Sequence, residues 1–237
     1  INQNLELLVE QEKYVPPVEL TELPTCLLPV GFKRIYSNEY LESRNFFNFE
    51  KYKVGTSTLL QKFRDYVIIV IEQNKKEVAF VSRYAGSNKD CVRYKNSVSD
   101  FESILFGLDD ITNKTKQVII VEGIFDKINI DYRLELDKHD ELKCVCTFGA
   151  KISDKQIQLL KSKNIQDVIL FFDNDVPDKV IKYYNTLSQE FDKVWLTYNK
   201  EVGKDVADLN TIQLVEALVN PVSLDNYFVD CKKKKKL

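Results

Sequence analysis

Methionine is missing from all 237 residues, and the first residue is isoleucine. The chain therefore reads as trimmed, with room for domains outside it. Histidine is almost as scarce: the only one, His139, lies in the charged stretch DKHDELK and reads as loop decoration. A Ser/His/Asp hydrolase or a histidine-based metal centre is thereby nearly excluded. Cysteine is sparse and scattered, at Cys26, Cys91, Cys144, Cys146 and Cys231. An odd count with no CxxC pair fits neither a disulfide framework nor a zinc site, and Cys144 and Cys146, inside the apolar run CVCTF, read as buried strand thiols. No run of about 18 apolar residues and no charged-then-apolar leader occurs, so no membrane span is expected and the location reads as cytoplasmic. A GxxxxGK[ST] phosphate loop is also missing, so no P-loop ATPase module is expected in the sequence.

What is present is ordinary globular composition, 44% hydrophobic and 30% charged, in a chain long enough for one large domain or two small ones. A net charge of -2 argues against coating DNA over the whole surface. It leaves room for a basic groove beside an acidic site, because a bound strand responds to the local field.

The pattern centres on Val118–Asp126, VIIVEGIFD. A β-branched apolar run that ends in a glutamate, a glycine and an aspartate describes a buried parallel strand with carboxylates at its mouth. Ligands in open α/β sheets bind at the carboxyl ends of strands, so Glu122 stands where chemistry is done and Asp126 lies on the first turn of the next helix. An N-cap acid beside a solvated acid is the plain alternative. A second apolar run, Val168–Phe172, breaks into Asp173, Asn174 and Asp175. Strand alternation sends Asp173 and Asp175 to one side, where a cation would relieve their repulsion. Hard oxygen donors suit Mg2+ or Mn2+ rather than zinc. A third acidic cluster, GKDVADL, follows Val194–Tyr198 and carries Lys204, Asp205 and Asp208.

Strands at 118–122, 144–148, 168–172 and 194–198 alternate with helices near 125–138, 153–163 and 177–191, the pattern of a parallel sheet with right-handed crossovers. Ser153 and Gln156 form a capping box. Gly149 permits close approach of a phosphate or base, and Lys151 either pairs with it or is a plain surface lysine. Upstream, apolar positions at Leu5, Leu8 and Val9 suggest a short helix, and Pro16, Pro17, Pro24 and Pro29 an extended arm. Asn38 could cap a helix through Arg44, 52–55 reads as a short strand, and 65–73 with 76–84 as a hairpin across Asn74 and Lys75. In the segment Ser82–Ser97, Arg83, Lys89, Arg93 and Lys95 alternate with Tyr84, Tyr94 and Asn96. That mixture suits phosphate gripping and base stacking, or a solvated hairpin edge. A last helix near 211–218 and Pro221 precede the lysine run 232–236.

The ordered set of strand–EGxxD, strand–DxD and GKDxxDL resembles the TOPRIM domain of bacterial-type DNA primases, topoisomerases, recombination mediators and some nucleases. The resemblance spans roughly Val118 to Leu218. The YLxxR helix, the hairpin ending in Arg83, the RYxNS segment at Arg93, Tyr94 and Asn96, and the LFGL turn further resemble the front half of the bacterial or phage-type primase RNA polymerase core. One departure stands out: Glu102 and Ser103 occupy positions where that family holds a lysine and a glycine.

The resemblance implies a TOPRIM four-stranded parallel α/β sheet with flanking helices (113–220), preceded by a smaller mixed α+β basic subdomain (1–112) and followed by a polybasic, disordered tail (221–237). It implies template-directed synthesis of RNA primers on single-stranded DNA from ribonucleoside triphosphates, with two divalent ions about 4 Å apart. Glu122, Asp173 and Asp175 are then catalytic, and with Asp126, Asp205 and Asp208 they hold the metal. Arg83, Arg93, Tyr94, Lys95, Asn96, Lys151 and Lys204 contact nucleotide or template. A replicative helicase and a separate zinc-binding domain are the implied protein partners, in a bacterial or infected host cell. A TOPRIM nuclease and a non-catalytic nucleic-acid-binding module remain the alternatives, whereas a topoisomerase needs a tyrosine-bearing domain for which there is little room.

Overall fold

Residues 21–173, 177–201, 203–227 and 229 are described in a computed structural model of the chain. The expectations for Leu5, Leu8, Val9, Pro16, Pro17, Asp175, Cys231 and the lysines at 232–236 lie outside these residues. The first half builds an antiparallel sheet in the order β1-β2-β3-β4, from β1 (Phe32–Arg34), β2 (Val54–Ser57), β3 (Tyr66–Gln73) and β4 (Lys76–Tyr84). Asn74 and Lys75 turn the β3–β4 hairpin with both φ values positive, at 55° and 59°, the two-residue turn whose twist matches the strands. The Asp109 carboxylate accepts both of their N–H groups, at 2.6 and 2.8 Å.

Asn38 caps α1 (Glu39–Glu42) by accepting from the Leu41 N–H at 3.0 Å. The helix stops short of Arg44 because Asn45 turns left-handed, at φ 61°. Phe46 N–H then reaches back to Leu41 C=O (3.0 Å) and Asn45 N–H to Glu42 C=O (3.1 Å), a Schellman closure that drives Phe46 into the core. The strand read at 52–55 starts two residues later, since Tyr52 is committed to buried packing.

The second half is a parallel sheet in the order β6-β5-β7-β8: β5 (Gln117–Val121), β6 (Leu142–Cys146), β7 (Asp167–Leu170) and β8 (Lys193–Leu196). It is flanked by α2 (Ile124–Arg133), α3 (Asp154–Ser162), α4 (Pro177–Leu187) and α5 (Thr211–Val219). Each strand falls within two residues of its expected place. The helix read as 125–138 breaks after Arg133, where Glu135 turns left-handed (φ 48°) and a short 3-10 turn follows. Cys144 and Cys146 are buried on β6. The stretch read as a tail from 221 begins as packed structure: Val222 bridges to Leu196, and Tyr227 is buried edge-on against Tyr198 at 5.9 Å.

One apolar cluster joins the two sheets, running from Ile69 and Val81 through Ile104 and Phe106 to Ile119, Val121 and Ile169. The LFGL turn is the coupling. Phe106 exchanges both backbone hydrogen bonds with Cys146 on the edge of the parallel sheet, at 3.1 and 3.0 Å. Gly107 follows at φ 97°, where a Cβ would lie 2.7 Å from the Cys144 carbonyl and against the Lys127 side chain, so only glycine fits. Beneath it Lys127 of α2 is fully buried, donating to Asp131 (2.6 Å), Asp110 (2.9 Å) and Tyr52 (3.3 Å). Lys51 shares Asp131 at 2.9 Å. This network ties α2 to the front half.

Candidate functional site

Glu122 follows the last residue of β5, and Asp173 lies three residues past β7, the neighbouring parallel strand. The Asp173 N–H donates to Glu122 Oε1 at 3.1 Å, and Glu122 C=O accepts Gly149 N–H at 2.8 Å. Three strand ends are thus pinned together. Asp173 lies beyond strand pairing, so the alternation expected for Asp173 and Asp175 does not govern it.

Asp126 sits in the first turn of α2, buried, with both oxygens engaged: Oδ2 accepts Gly123 N–H (2.9 Å) and Oδ1 accepts Ala207 N–H (3.0 Å). Gly123 has ordinary extended φ, and a Cβ there would stand 2.7 Å from Asp126 Oδ2. Burial, and then the charges of Asp173 and Asp205, push the Asp126 carboxyl up to about 8 against the pull of its two N–H partners. Asn129, one turn further along α2, donates to Val206 C=O (3.0 Å) and Leu209 C=O (2.9 Å). Asp126 and Asn129 together lash the GKDVADL loop onto α2 and bring Asp205 to the site. The i, i+3 spacing of these two residues was the available sequence signal for Asn129.

A cavity of about 330 Å³ opens at these strand ends. Glu122, Asp126, Asp173 and Asp205 line one wall, and Arg93, Tyr94 and Asn96 face them from the front half. Those three belong to an extended segment hydrogen-bonded along β4, through Tyr84 N–H to Arg93 C=O and Lys95 N–H to Ser82 C=O, both 3.0 Å. Arg83 is buried behind it, its Nε donating to the Tyr40 hydroxyl at 2.7 Å and its guanidinium 4.7 Å over the Tyr94 ring. Arg83 therefore positions Tyr94. Arg44 and Phe148 also line the cavity, a placement that no local sequence signal announces.

The remaining candidates lie elsewhere. Lys95 points away, donating to Lys62 C=O at 2.8 Å with its ammonium 4.3 Å over the Tyr66 ring. Asp208 is paired with Arg44 at 3.4 Å. Lys204 is exposed, and its carbonyl accepts from Asn199 at 2.7 Å. Lys151 is held in an exposed ion pair by Glu102, the acid standing where the resemblance expects a lysine.

Among the described residues, no group of three or more histidine, cysteine, aspartate or glutamate side chains is placed to hold a metal ion. The donor chemistry still fits one class of ion. Glu122, Asp173 and Asp205 offer hard oxygens, the donor type that Mg2+ or Mn2+ takes. Burial raises the Cys144 and Cys146 thiols well above the ordinary thiol value, so neither stands ready as a thiolate ligand.

The parallel sheet with its flanking helices has the TOPRIM fold, and residues 119–210 match the family model for Toprim-like domains. The chain is 33% identical over 109 residues to the uncharacterized protein MG010 homolog of Mycoplasma pneumoniae, which covers 45% of this chain and 48% of that protein. It therefore spans about half the length of that relative. Among solved structures it is similar to a DNA primase domain from Pseudomonas aeruginosa, with TM-score 0.51 and 20% identity over 72% of this chain and 51% of that one. A chain from a bacteriophage T7 assembly also aligns, at TM-score 0.49 and 18% identity, over 79% of this chain and 89% of that one. In that assembly the lagging-strand DNA polymerase interacts with primase domains of two gp4 subunits bound to an RNA/DNA hybrid and dTTP.

Proposed function

We propose that this chain is a primase-type core that joins ribonucleotides on a single-stranded DNA template. One juxtaposition carries the reading: a single cavity with four carboxyl groups on one wall and Arg93, Tyr94 and Asn96 on the other. In the reaction the 3′-oxygen of one ribonucleotide bonds to the α-phosphorus of the next, and the bridging P–O bond breaks to release pyrophosphate. Divalent ions, when bound, lower the pKa of the attacking hydroxyl and balance charge on the leaving oxygens.

The chain's own groups do the rest. Glu122, fixed by the Asp173 amide, accepts the hydroxyl proton or holds an ion, and Asp173 with Asp175 supplies the principal metal oxygens. Asp126 anchors the loop that carries Asp205. Across the cleft Arg93 pairs with phosphate, Asn96 offers an amide, and Tyr94, backed by Arg83, stacks a base. A helicase and a zinc-binding module are the partners expected for such a core. A second reading, a nucleic-acid-binding module without catalysis, is favoured by one observation: both oxygens of Asp126 are already spent on backbone N–H groups.

The test combines the chain with single-stranded DNA, labelled ribonucleoside triphosphates and Mg2+ or Mn2+, beside Asp173→Ala. Short oligoribonucleotides that vanish in the variant support the primase. Shortened DNA without new product supports a nuclease, and DNA binding with neither supports the binding module.

A further inference from the structure

Beyond Phe148 and Gly149 the candidate active site continues into a second groove, of about 490 Å³, that carries Lys151, Lys179 and Lys182 on its rim. Lys179 and Lys182 stand three apart on α4, so they share a face, and both are exposed. Among the described residues neither enters an ion pair. The neighbouring Tyr183 is buried, its ring edge-on to Phe172 at 6.3 Å, which fixes this face of α4 beside the end of β7.

Lys151 arrives from the loop after β6. Its partner Glu102 is exposed, and such pairs contribute little, so a phosphate can take the place of the carboxylate. The residue between the two cavities is unusual. Phe148 holds a left-handed backbone at φ 61°, uncommon for a bulky side chain, with its ring pinned by Phe101 at 4.9 Å. At Gly149, next to it, nothing lies within 4 Å of where a Cβ would stand, which leaves that lip open to a ligand.

Three lysines along one rim with an aromatic ring at the threshold match phosphates repeating along a strand and a base stacked on the ring. We infer that this groove holds a single nucleic-acid strand as it passes between solvent and the acidic cavity. The inference rests on the proposed function only for what happens at the strand's inner end. Free nucleoside triphosphate shares the phosphate chemistry and is the rival occupant.

Fluorescence anisotropy of a labelled oligothymidylate, in EDTA and across a salt series, tests this with the full chain and Lys179→Ala/Lys182→Ala. The double variant is expected to bind about tenfold or more weakly at low salt. The slope of log K against log salt should fall by about 1.4, two phosphate contacts at ~0.7 each. Phe148→Ala should weaken binding with little change in slope. Unaltered affinity and slope in the lysine variant overturn the proposal. So does an affinity for ATP that depends on these lysines while that for the oligonucleotide does not. Thermal stabilisation by Mn2+ should persist in the lysine variant. Its loss in wild type would count against the metal assignment and leave the strand groove standing.

Discussion

The Asp173 amide donates to the Glu122 carboxylate at 3.1 Å, so the backbone of one acid meets the side chain of the other across adjacent parallel strands. Their register is set by the sheet, through Ile120 opposite Leu170. Behind them Asp126 is buried, and burial first, then the Asp173 charge, pushes its carboxyl up.

Glu122→Gln keeps an oxygen that can accept the Asp173 N–H and removes one charge. Without divalent metal its thermal stability should stay within about 1 kcal/mol of wild type. Stabilisation by Mg2+ or Mn2+ should be lost, and primer synthesis should fall on the order of 10²-fold. Full synthesis by this variant would remove Glu122 from the chemistry.

Asp126 makes the metal-free fold sensitive to pH. Its carboxyl is raised to about 8 when folded, first by burial and then by Asp173, so the folded state keeps a proton that the unfolded chain releases near 4. The associated stability is complete below about 4 and drains away as pH rises towards 8. Melting temperature in EDTA should fall across that window, and less so in Asp173→Ala. Added Mg2+ should stabilise more at pH 8 than at pH 6 and release protons on binding.

Removing the buried ammonium of Lys127 takes from Asp131 the partner it meets at 2.6 Å and leaves it Lys51 at 2.9 Å and the Tyr52 hydroxyl at 2.6 Å. Lys127→Met should cost about 1.5–3 kcal/mol, the loss of a hydrogen bond to a charged group, read as a lower urea midpoint. Lys127→Met combined with Asp131→Leu should recover part of that loss, since Lys51 keeps Asp110 and Asp137 nearby. Equal losses in the single and double variants would show that the network, rather than the Asp131 charge, sets the cost.

Gly123→Ala places a methyl 2.7 Å from Asp126 Oδ2. The backbone there accepts alanine, so the damage is local: a strained cap at the start of α2, worth about 1–2 kcal/mol, and a displaced Asp126. Hydrogen exchange should quicken at Ala207, whose N–H relies on the same carboxylate. Unchanged protection there would separate Gly123 from the loop.

The parallel half was legible because its signals are local. Apolar runs gave β5 to β8, and Ser153 with Gln156 formed the expected capping box, Gln156 N–H donating to Ser153 at 3.0 Å. What escaped were contacts between distant residues. No spacing reveals that Arg83 turns inward to Tyr40, that Lys95 leaves its neighbours for Tyr66, or that Arg44 meets Asp208 164 positions away. The alternating basic and aromatic segment was visible, but which members face the acids depended on its pairing with β4. Helix ends differ from the sequence pattern where Asn45 and Glu135 take left-handed backbone, a conformation asparagine adopts readily and glutamate rarely.

The apolar cluster shared by the two sheets bears on how a ligand is received. Both banks of the cleft rest on the same foundation, and Lys127 rivets them from below. The gap is accordingly cast when the chain folds. Whatever enters the cavity therefore lies between walls that share a single core.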